Sequence, residues 1–150
     1  MKKLFFSAAV VLFSAPWMVA DVSAQAFSKG EDAVQYRQGA FQIMRAHFGA
    51  LQPVVRGQVP FDQDMVVGNI EVLEQVSKLP WAAFGPGTEG GGARANIWSD
   101  TAGYEAAQQA YLETLPALMA AAKEGSQDRL RQAFANTGAS CKACHDSFRR

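Results

Sequence analysis

Apolar residues in this chain recur at steps of three and four along four segments, and this spacing places them on one face of an α-helix. No segment alternates apolar and polar residues in the way that a half-buried β-strand does. Most connections between the segments are short, which is typical of helices that pack antiparallel to their neighbours. The sequence therefore predicts an all-α, antiparallel four-helix bundle. The expected helices span residues 29–55, 62–79, 99–125 and 126–148.

Polar residues indicate where three of these helices begin. Ser28 and Glu31 have the spacing of a capping box at the start of the first helix. Asp62 and Ser126 are the expected N-caps of the second and fourth helices, because their side-chain oxygens can accept hydrogen bonds from the first free N–H groups.

Proline and glycine predict one bend and one loop. Pro116 falls inside the third helix and is expected to kink it, because its ring displaces the carbonyl group four residues earlier. The segment WAAFGPGTEGGGAR, residues 81–94, is rich in glycine and predicts a loop without regular structure.

The N-terminus has the pattern of a secretory signal. Two lysines precede an apolar run over residues 4–13, and small residues follow up to Ala24, so residues 1–24 are interpreted as a signal peptide that is removed. The run is too short to span a bilayer, and no later segment is apolar enough to do so. The remaining residues, 25–150, have the size of one domain. Removal takes two lysines and one aspartate from 14 basic and 14 acidic residues and leaves a net charge of −1, which gives no electrostatic basis for nucleic-acid binding.

The only two cysteines and one of the two histidines lie within five positions near the C-terminus, in the segment CKACH. On a helix, Cys141, Cys144 and His145 are three and four residues apart and project from one face. A disulfide across so few residues closes a tiny loop and removes little chain entropy. The cysteines are therefore not expected to stabilise the fold as a disulfide.

Four interpretations compete for this cluster. Inert buried cysteines would leave the adjacent histidine unexplained. Structural zinc normally takes four ligands, and His47 is the only further cysteine or histidine in the chain. A thioredoxin-like thiol pair belongs beside a βαβ pattern, which this sequence lacks. The C-x-x-C-H spacing is the known signature of covalent haem attachment, in which Cys141 and Cys144 form thioether bonds and His145 is an axial ligand of the iron. The sequence predicts one covalently bound haem c, with a haem-free thiol or zinc module as the competing hypothesis.

Arg37 interrupts the apolar face of the first helix. An unpaired buried guanidinium is costly, and no obvious carboxylate shares its face. A haem propionate would suit the planar fork of an arginine, and Gln38 could bond the same group. The alternative is that Arg37 extends its charge to the rim of the bundle and that Gln38 is solvated.

The chain resembles the cytochromes c′, the four-helix class II type of bacterial c-type cytochrome. The resemblance rests on CKACHDSFR at the C-terminus, on YRQGAFQIM in the first helix and on LPWAAFGPGTEGG before the third. It implies a left-twisted bundle, often a homodimer through the first two helices, with one haem c whose iron is five-coordinate and high-spin. It also implies a periplasmic protein that binds nitric oxide and carbon monoxide, with electron transfer or nitric oxide handling as its role.

The resemblance also implies roles for particular residues. Pro116 departs from relatives with an unbroken third helix, which bears on that helix and not on the haem. The matching positions are Cys141 and Cys144 for the thioethers, His145 for the proximal ligand, Arg37 and Gln38 near the propionates, Phe41 over the distal iron face, Arg149 beside the proximal histidine, and Trp81 and Phe84 flanking the haem.

The function depends on whether the sixth iron position is open. Phe41 has no lone pair to donate, and Met44 lies three residues further, about 4.5 Å along the helix axis. An open position beneath an apolar ring favours carbon monoxide and nitric oxide over dioxygen, which needs a hydrogen-bond donor. The chain is accordingly expected to bind gases without being an enzyme. If Met44 or His47 ligates the iron instead, the chain is a six-coordinate electron carrier that passes electrons to a redox partner protein.

The oligomeric state is a separate expectation. Several apolar residues are placed by the helical pattern on the outside of the first two helices and would suit a homodimer interface. They are Val34, Val67 and Ile70.

Overall fold

The structure is a computed structural model that describes residues 27–150, so the expected signal peptide, residues 1–24, lies outside the described part. The described chain folds into seven α-helices and one 3₁₀ helix, Pro80–Phe84. Within residues 27–150 there is no β-strand, only a single isolated bridge between Ala93 and Arg149. The α-helices are α1 (Gly30–Ala50), α2 (Gln52–Val55), α3 (Gln63–Val76), α4 (Asn96–Ser99), α5 (Thr101–Leu112), α6 (Leu115–Glu124) and α7 (Gln127–Phe148).

The long helices form a four-helix bundle, which confirms the predicted fold class. Helix α1 packs against α3, α3 against α6, and α7 against both α5 and α6. The rings of Phe48 on α1 and Phe134 on α7 stack with their centres 4.1 Å apart, which closes the bundle. Helices α5 and α6 together occupy the place of the third predicted helix. No helix within residues 27–150 has the length and apolar character needed to cross a membrane.

Two clusters of buried side chains stabilise the bundle. The larger contains aliphatic residues from α2, α3, α6 and α7, and each fully buried side chain of this size contributes roughly 1.5–3 kcal/mol. Ile70 belongs to this core and is fully buried, so the expectation that it lies on an outer surface is wrong. The smaller cluster, formed by Ile97, Tyr104 and Phe148, lies at the C-terminal end of α7. The CKACH segment therefore runs along α7 between the two clusters.

The predicted N-caps of the second and fourth helices are confirmed, but the predicted capping box is wrong. The Asp62 carboxylate accepts a hydrogen bond from the Met65 amide, and the Ser126 hydroxyl accepts one from the Arg129 amide. At the start of α1, by contrast, Lys29 is the N-cap and contributes no side-chain bond.

Packing against the glycine-rich loop explains where α1 begins. A side chain on Gly30 would place its Cβ only 2.4 Å from the carbonyl oxygen of Gly87, so the first turn of the helix lies directly on the loop. The Ser28 hydroxyl donates a hydrogen bond to Asp32 instead of capping the helix. The contact with the loop, and not a local cap, therefore sets this end.

Prolines divide two of the predicted helices. The first was expected to continue to Val55, but it ends at Ala50 and a short α2 follows, with Pro53 in its first turn. The third is interrupted between Leu112 and Leu115, with Pro116 in the first turn of α6. Proline has no N–H to donate and clashes with the carbonyl four residues earlier, so it is favoured only at a helix start. The bend expected at Pro116 is confirmed as a full break.

The segment 81–94 is only partly irregular. Its first residues form the 3₁₀ helix Pro80–Phe84, so the prediction that it has no regular structure is wrong at this end. The remainder is a loop in which Gly87, Gly90 and Gly91 have positive φ angles. A φ of 134° at Gly90 is accessible essentially to glycine alone, which explains why glycine is needed there.

Candidate functional site

Helix α7 places the two cysteines against different parts of the core. Cys141 packs on the larger cluster and Cys144 on the smaller one, and neither forms a disulfide. Burial, with the neighbouring Cys144, raises the pKa of Cys141 to about 11, and burial also raises the pKa of Cys144. Both thiols are therefore neutral at physiological pH. Because the thiolate is the reactive form, this argues against a thiol–disulfide function.

His145 follows directly on the same helix and is exposed. Partial desolvation and the positive charge of Arg149 lower the pKa of His145, while Asp146 opposes them. These effects favour the neutral imidazole, which is the form that binds iron. Lys142 pairs with Asp146 on the exposed surface, as expected for solvated residues.

Aromatic side chains from three elements form an apolar wall beside the cysteines. We call Phe41, Trp81, Phe84 and Tyr104 the aromatic wall. The ring of Phe41 on α1 lies 5.8 Å from that of Trp81 and 6.3 Å from that of Phe84. Tyr104 on α5 completes it, 5.2 Å from Phe84 and 6.3 Å from Trp81. Phe41, Trp81 and Phe84 are only half-buried, which leaves apolar surface that a flat apolar group could cover.

The position of Trp81 is fixed by a hydrogen-bond network behind the wall. Its indole Nε1 donates to the carbonyl oxygen of Ser77 at 2.5 Å. The Ser77 hydroxyl in turn shares a buried hydrogen bond of 2.5 Å with the Tyr111 hydroxyl. Sequence reasoning did not find these two residues, because Ser77 and Tyr111 lie 34 positions apart.

Arg37 is almost completely buried, with 3% of its surface exposed, but it is not unpaired. Its guanidinium donates to the carbonyl oxygens of Ala83 at 2.6 Å, Thr88 at 2.7 Å and Gly90 at 3.0 Å. It also lies over the ring of Phe84, 4.3 Å from the centre. The alternative in which Arg37 extends its charge to the rim of the bundle is therefore wrong, and its hydrogen-bond partners within residues 27–150 include three backbone carbonyls and no carboxylate. Its observed role is to fix the loop and Phe84 against α1.

The other predicted propionate residue, Gln38, is exposed. It lies against the same loop, since a Cβ on Gly91 would approach the Gln38 amide nitrogen to 2.9 Å. The two side chains therefore lie on one side of the bundle, near one end of the aromatic wall.

Main-chain hydrogen bonds hold the end of α7 to the loop. The amide of Arg94 donates to the carbonyl oxygen of Phe148 at 3.0 Å, and the amide of Arg150 donates to that of Gly92 at 2.8 Å. Asn96 adds a side-chain bond from Nδ2 to the carbonyl oxygen of Ser147. We call these three hydrogen bonds the clip. The clip lies a few residues after His145 and was not predicted.

The clip also changes the setting of Arg149. The resemblance implies that Arg149 lies beside the proximal histidine, and on a continuous helix it would share the face of His145, four residues earlier. The structure ends the helix at Phe148, and Arg149 has an extended backbone with φ −117° and ψ 140°. The shared-face argument is therefore wrong, although the Arg149 charge still acts on the imidazole.

Of the two other candidate iron ligands, His47 is engaged elsewhere. The His47 ring nitrogen Nδ1 donates to Asn69 Oδ1 at 2.9 Å, and the Asn69 amide donates to the sulfur of Met65 at 3.3 Å. Met44 and Met119 are buried in the larger core cluster.

The sequence analysis assigned no role to Tyr104. Its ring is buried, but its hydroxyl oxygen has no hydrogen-bond partner within residues 27–150. Two neutral sulfurs, a neutral imidazole, half-covered aromatic rings and a buried hydroxyl in need of an acceptor together fit a flat, largely apolar group with polar substituents. Haem attached through thioether bonds has this chemistry. The fold and the site thus define the class of a four-helix c-type haem protein.

Comparisons with known proteins agree with this class. A family model described as Cytochrome C' matches residues 32–149. A cytochrome c′ from Alcaligenes xylosoxydans xylosoxydans is 56% identical over 124 residues, which cover 83% of this chain and 98% of the relative. A cytochrome c′ from Rubrivivax gelatinosus is 40% identical over 126 residues, which cover 82% of this chain and 98% of the relative. The chain therefore belongs to the cytochrome c′ family.

Solved structures show the same likeness. A cytochrome c′ structure aligns with a TM-score of 0.82 at 55% identity, over 83% of this chain and 100% of that one. The nitric oxide complex of a variant cytochrome c′ from Alcaligenes xylosoxidans aligns with a TM-score of 0.81 at 55% identity, over 83% of this chain and 98% of that one. Members of this family carry covalently bound haem c, so the cofactor prediction is confirmed.

Proposed function

We propose that this chain binds nitric oxide and carbon monoxide at a five-coordinate haem c iron. Cys141 and Cys144 form the thioether bonds, and His145 is the single protein ligand of the iron. The haem supplies the iron and its vacant coordination position. The observation that carries the proposal is the C-x-x-C-H segment of α7 beside an aromatic wall that has no hydrogen-bond donor at Phe41. The nitric oxide complex of the similar Alcaligenes protein supports it.

In this proposal, Phe41 controls access to the open iron position. Trp81 and Phe84 lie beside its ring and restrict its movement. A hydrocarbon ring cannot donate a hydrogen bond to dioxygen bound at the iron. It also leaves a water bound there without the hydrogen bonds that the water makes in solution. Nitric oxide and carbon monoxide do not depend on either interaction, so the ring selects for them.

We expect Phe41→Ala to accelerate carbon monoxide association with the ferrous protein by about tenfold. The substitution removes the ring without adding a polar group, and a barrier lowered by about 1.4 kcal/mol gives this factor. Stopped-flow mixing with carbon monoxide measures the rate.

Phe48→Ala is the matched control for this experiment. It removes the same side chain from the same helix, but Phe48 stacks on Phe134 and does not contact the aromatic wall. Its association rate should equal that of the unmodified protein. An unchanged rate in Phe41→Ala would show that the ring is not the barrier.

The coordination number itself is tested by spectroscopy. Electron paramagnetic resonance of the oxidised protein should give a high-spin signal, as expected for five-coordinate iron. A low-spin signal with a methionine–iron charge-transfer band would instead favour the electron carrier in which Met44 is the second ligand. Met44 is the candidate in that case because it packs in the same cluster as Phe41 and Cys141.

The remaining site residues have secondary roles in this proposal. Arg37 has five N–H donors and three carbonyl partners, so it can still contact a propionate together with Gln38. Trp81 and Phe84 cover the haem faces that they adjoin, and Arg149 acts on the proximal imidazole through its charge.

The cellular setting is proposed from the N-terminal signal. Cleavage after residue 24 would release residues 25–150 into the periplasm as one domain. In this proposal the domain is not an enzyme and does not bind nucleic acid. Its partners are the two gases and a redox protein. A homodimer through α1 and α3 is supported by Ile43 and Val72, which are 45% and 36% exposed, beside half-buried Val34 and Val67. Sedimentation of the holo protein tests the dimer.

A further inference from the structure

The hydroxyl group of Tyr104 is a buried donor without an acceptor. Tyr104 is 8% exposed, and its oxygen has no hydrogen-bond partner in the part of the chain that the structure describes. Buried tyrosine hydroxyls normally find a partner, because leaving them unpaired loses their hydration without compensation. The position of this hydroxyl therefore needs an explanation.

The surroundings of Tyr104 are almost entirely aromatic. Its ring lies 5.2 Å from that of Phe84, 5.6 Å from that of Phe148 and 6.3 Å from that of Trp81. Burial raises the pKa of Tyr104 well above its usual value, and the nearby Cys144 adds to this effect while Arg37 opposes it. The phenol is thus neutral and keeps its proton. It also lies beside the sulfur that we propose carries the haem.

Tyr111 shows that the missing partner is specific to position 104. Both tyrosines lie on α5 and both are buried in the bundle. The Tyr111 hydroxyl shares a hydrogen bond of 2.5 Å with Ser77, so the fold supplies a partner to one tyrosine and not to the other.

One other buried polar side-chain atom in the described residues also lacks a hydrogen-bond partner. This atom is Asn96 Oδ1, while Nδ2 of the same side chain donates to Ser147. An experiment on Tyr104 must therefore distinguish an acceptor on the haem from an acceptor on Asn96.

We propose that Tyr104 donates a hydrogen bond to the haem bound at Cys144 and raises the reduction potential of the iron. This inference rests on the proposed covalent attachment. The acceptor groups available at the haem edge are the propionate carboxylates and the thioether sulfur at Cys144. With either acceptor, the O–H dipole points its positive end toward the haem. Ferric haem carries one more positive charge than ferrous haem, so this dipole favours the reduced state, and the effect is strong in a buried site.

The test is Tyr104→Phe in the holo protein, which removes only the hydroxyl group. We expect the equilibrium constant for haem reduction to fall by roughly three- to tenfold, measured by spectroelectrochemistry. The equilibrium constant for unfolding in denaturant should rise by about tenfold, because a hydrogen bond is lost without a new cavity.

Tyr36→Phe is the matched control. It removes the hydroxyl group of a half-buried tyrosine that packs on Phe27 outside the aromatic wall, so it should leave the reduction constant unchanged. Resonance Raman spectra of Tyr104→Phe then identify the acceptor, since a shifted propionate bending band indicates a carboxylate and a shifted C–S band indicates the thioether. Either shift supports the proposal.

Two results would overturn the inference. If Tyr104→Phe weakens folding but leaves the reduction constant unchanged, the acceptor is a protein group such as Asn96. If neither constant changes, the hydroxyl has no partner in the holo protein. Failure of the underlying attachment is recognised separately, because the unmodified protein would then lack covalent haem in a denaturing assay.

Discussion

Replacing Arg37 with methionine should lower the free energy of unfolding by about 3–5 kcal/mol. Methionine fills a similar volume but cannot donate to the carbonyl oxygens of Ala83, Thr88 and Gly90, which Arg37 now satisfies. Each buried acceptor that loses its partner costs about 1–3 kcal/mol, and partial rehydration of the loop recovers some of this. Losses of this size are exceptional for a single substitution and come only from a disrupted buried network or core. Denaturant unfolding of the holo protein, followed by circular dichroism, measures the change.

Arg45→Met provides the comparison for this prediction. Arg45 lies two turns further along α1 and is exposed, so the same substitution there should change the free energy of unfolding by less than about 0.5 kcal/mol. Arg37→Lys should fall between the two, since one ammonium group cannot match the planar fork of a guanidinium. A decrease in the free energy of unfolding of less than about 1 kcal/mol for Arg37→Met would mean that water replaces Arg37 as the hydrogen-bond donor to the loop carbonyls.

Arg37 also shows where sequence reasoning about this protein fails. Its position on an apolar stripe correctly indicated that the charge needs a partner. The partners are backbone carbonyls 46–53 residues away, and a carbonyl has no identity in a sequence. They converge on Arg37 only because the loop turns at Gly87 and Gly90 with positive φ angles. A side-chain carboxylate on the haem was therefore the only partner that the sequence could suggest.

Features that depend on neighbouring residues were predicted well. The caps at Asp62 and Ser126 and the break at Pro116 follow from groups within four residues of each other, and the structure confirms them. The capping box at Ser28 failed because packing of Gly30 against Gly87 determines the start of α1. Local chemistry gives a helix end only where no distant contact competes with it.

The features of the candidate site likewise fall into those that the sequence predicts and those that it does not. The spacing of Cys141, Cys144 and His145 lies within one helix, so the sequence alone places them on neighbouring turns. The clip between Arg94 and Phe148 joins residues 54 positions apart through main-chain atoms, so no side-chain pattern in the sequence indicates it. The sequence shows Tyr104 at helical spacing from Ala107 and Tyr111. Its missing partner became visible only once its neighbours were known.

The largest effect on function is expected from the double substitution Cys141→Ser and Cys144→Ser, which should abolish covalent haem attachment. A hydroxyl group is too weak a nucleophile to replace a thiol in a thioether bond, and serine is otherwise similar in size. Mass spectrometry of the exported chain should show the mass of one haem on the unmodified protein and none on the double variant. Each single variant should retain haem through one bond, at reduced yield.

The control for this prediction places the same residues elsewhere on the same helix. Ala139 and Ala143 are exposed positions of α7, so Ala139→Ser with Ala143→Ser places two serines in the same helix, with at least as large a loss of helix propensity, without touching either sulfur. This variant should keep its haem. Because the control variant keeps both sulfurs, its comparison with the double serine variant separates loss of attachment from loss of folding. Haem mass on the double serine variant would mean that another side chain forms the bond, and the assignment of Cys141 and Cys144 would then be wrong.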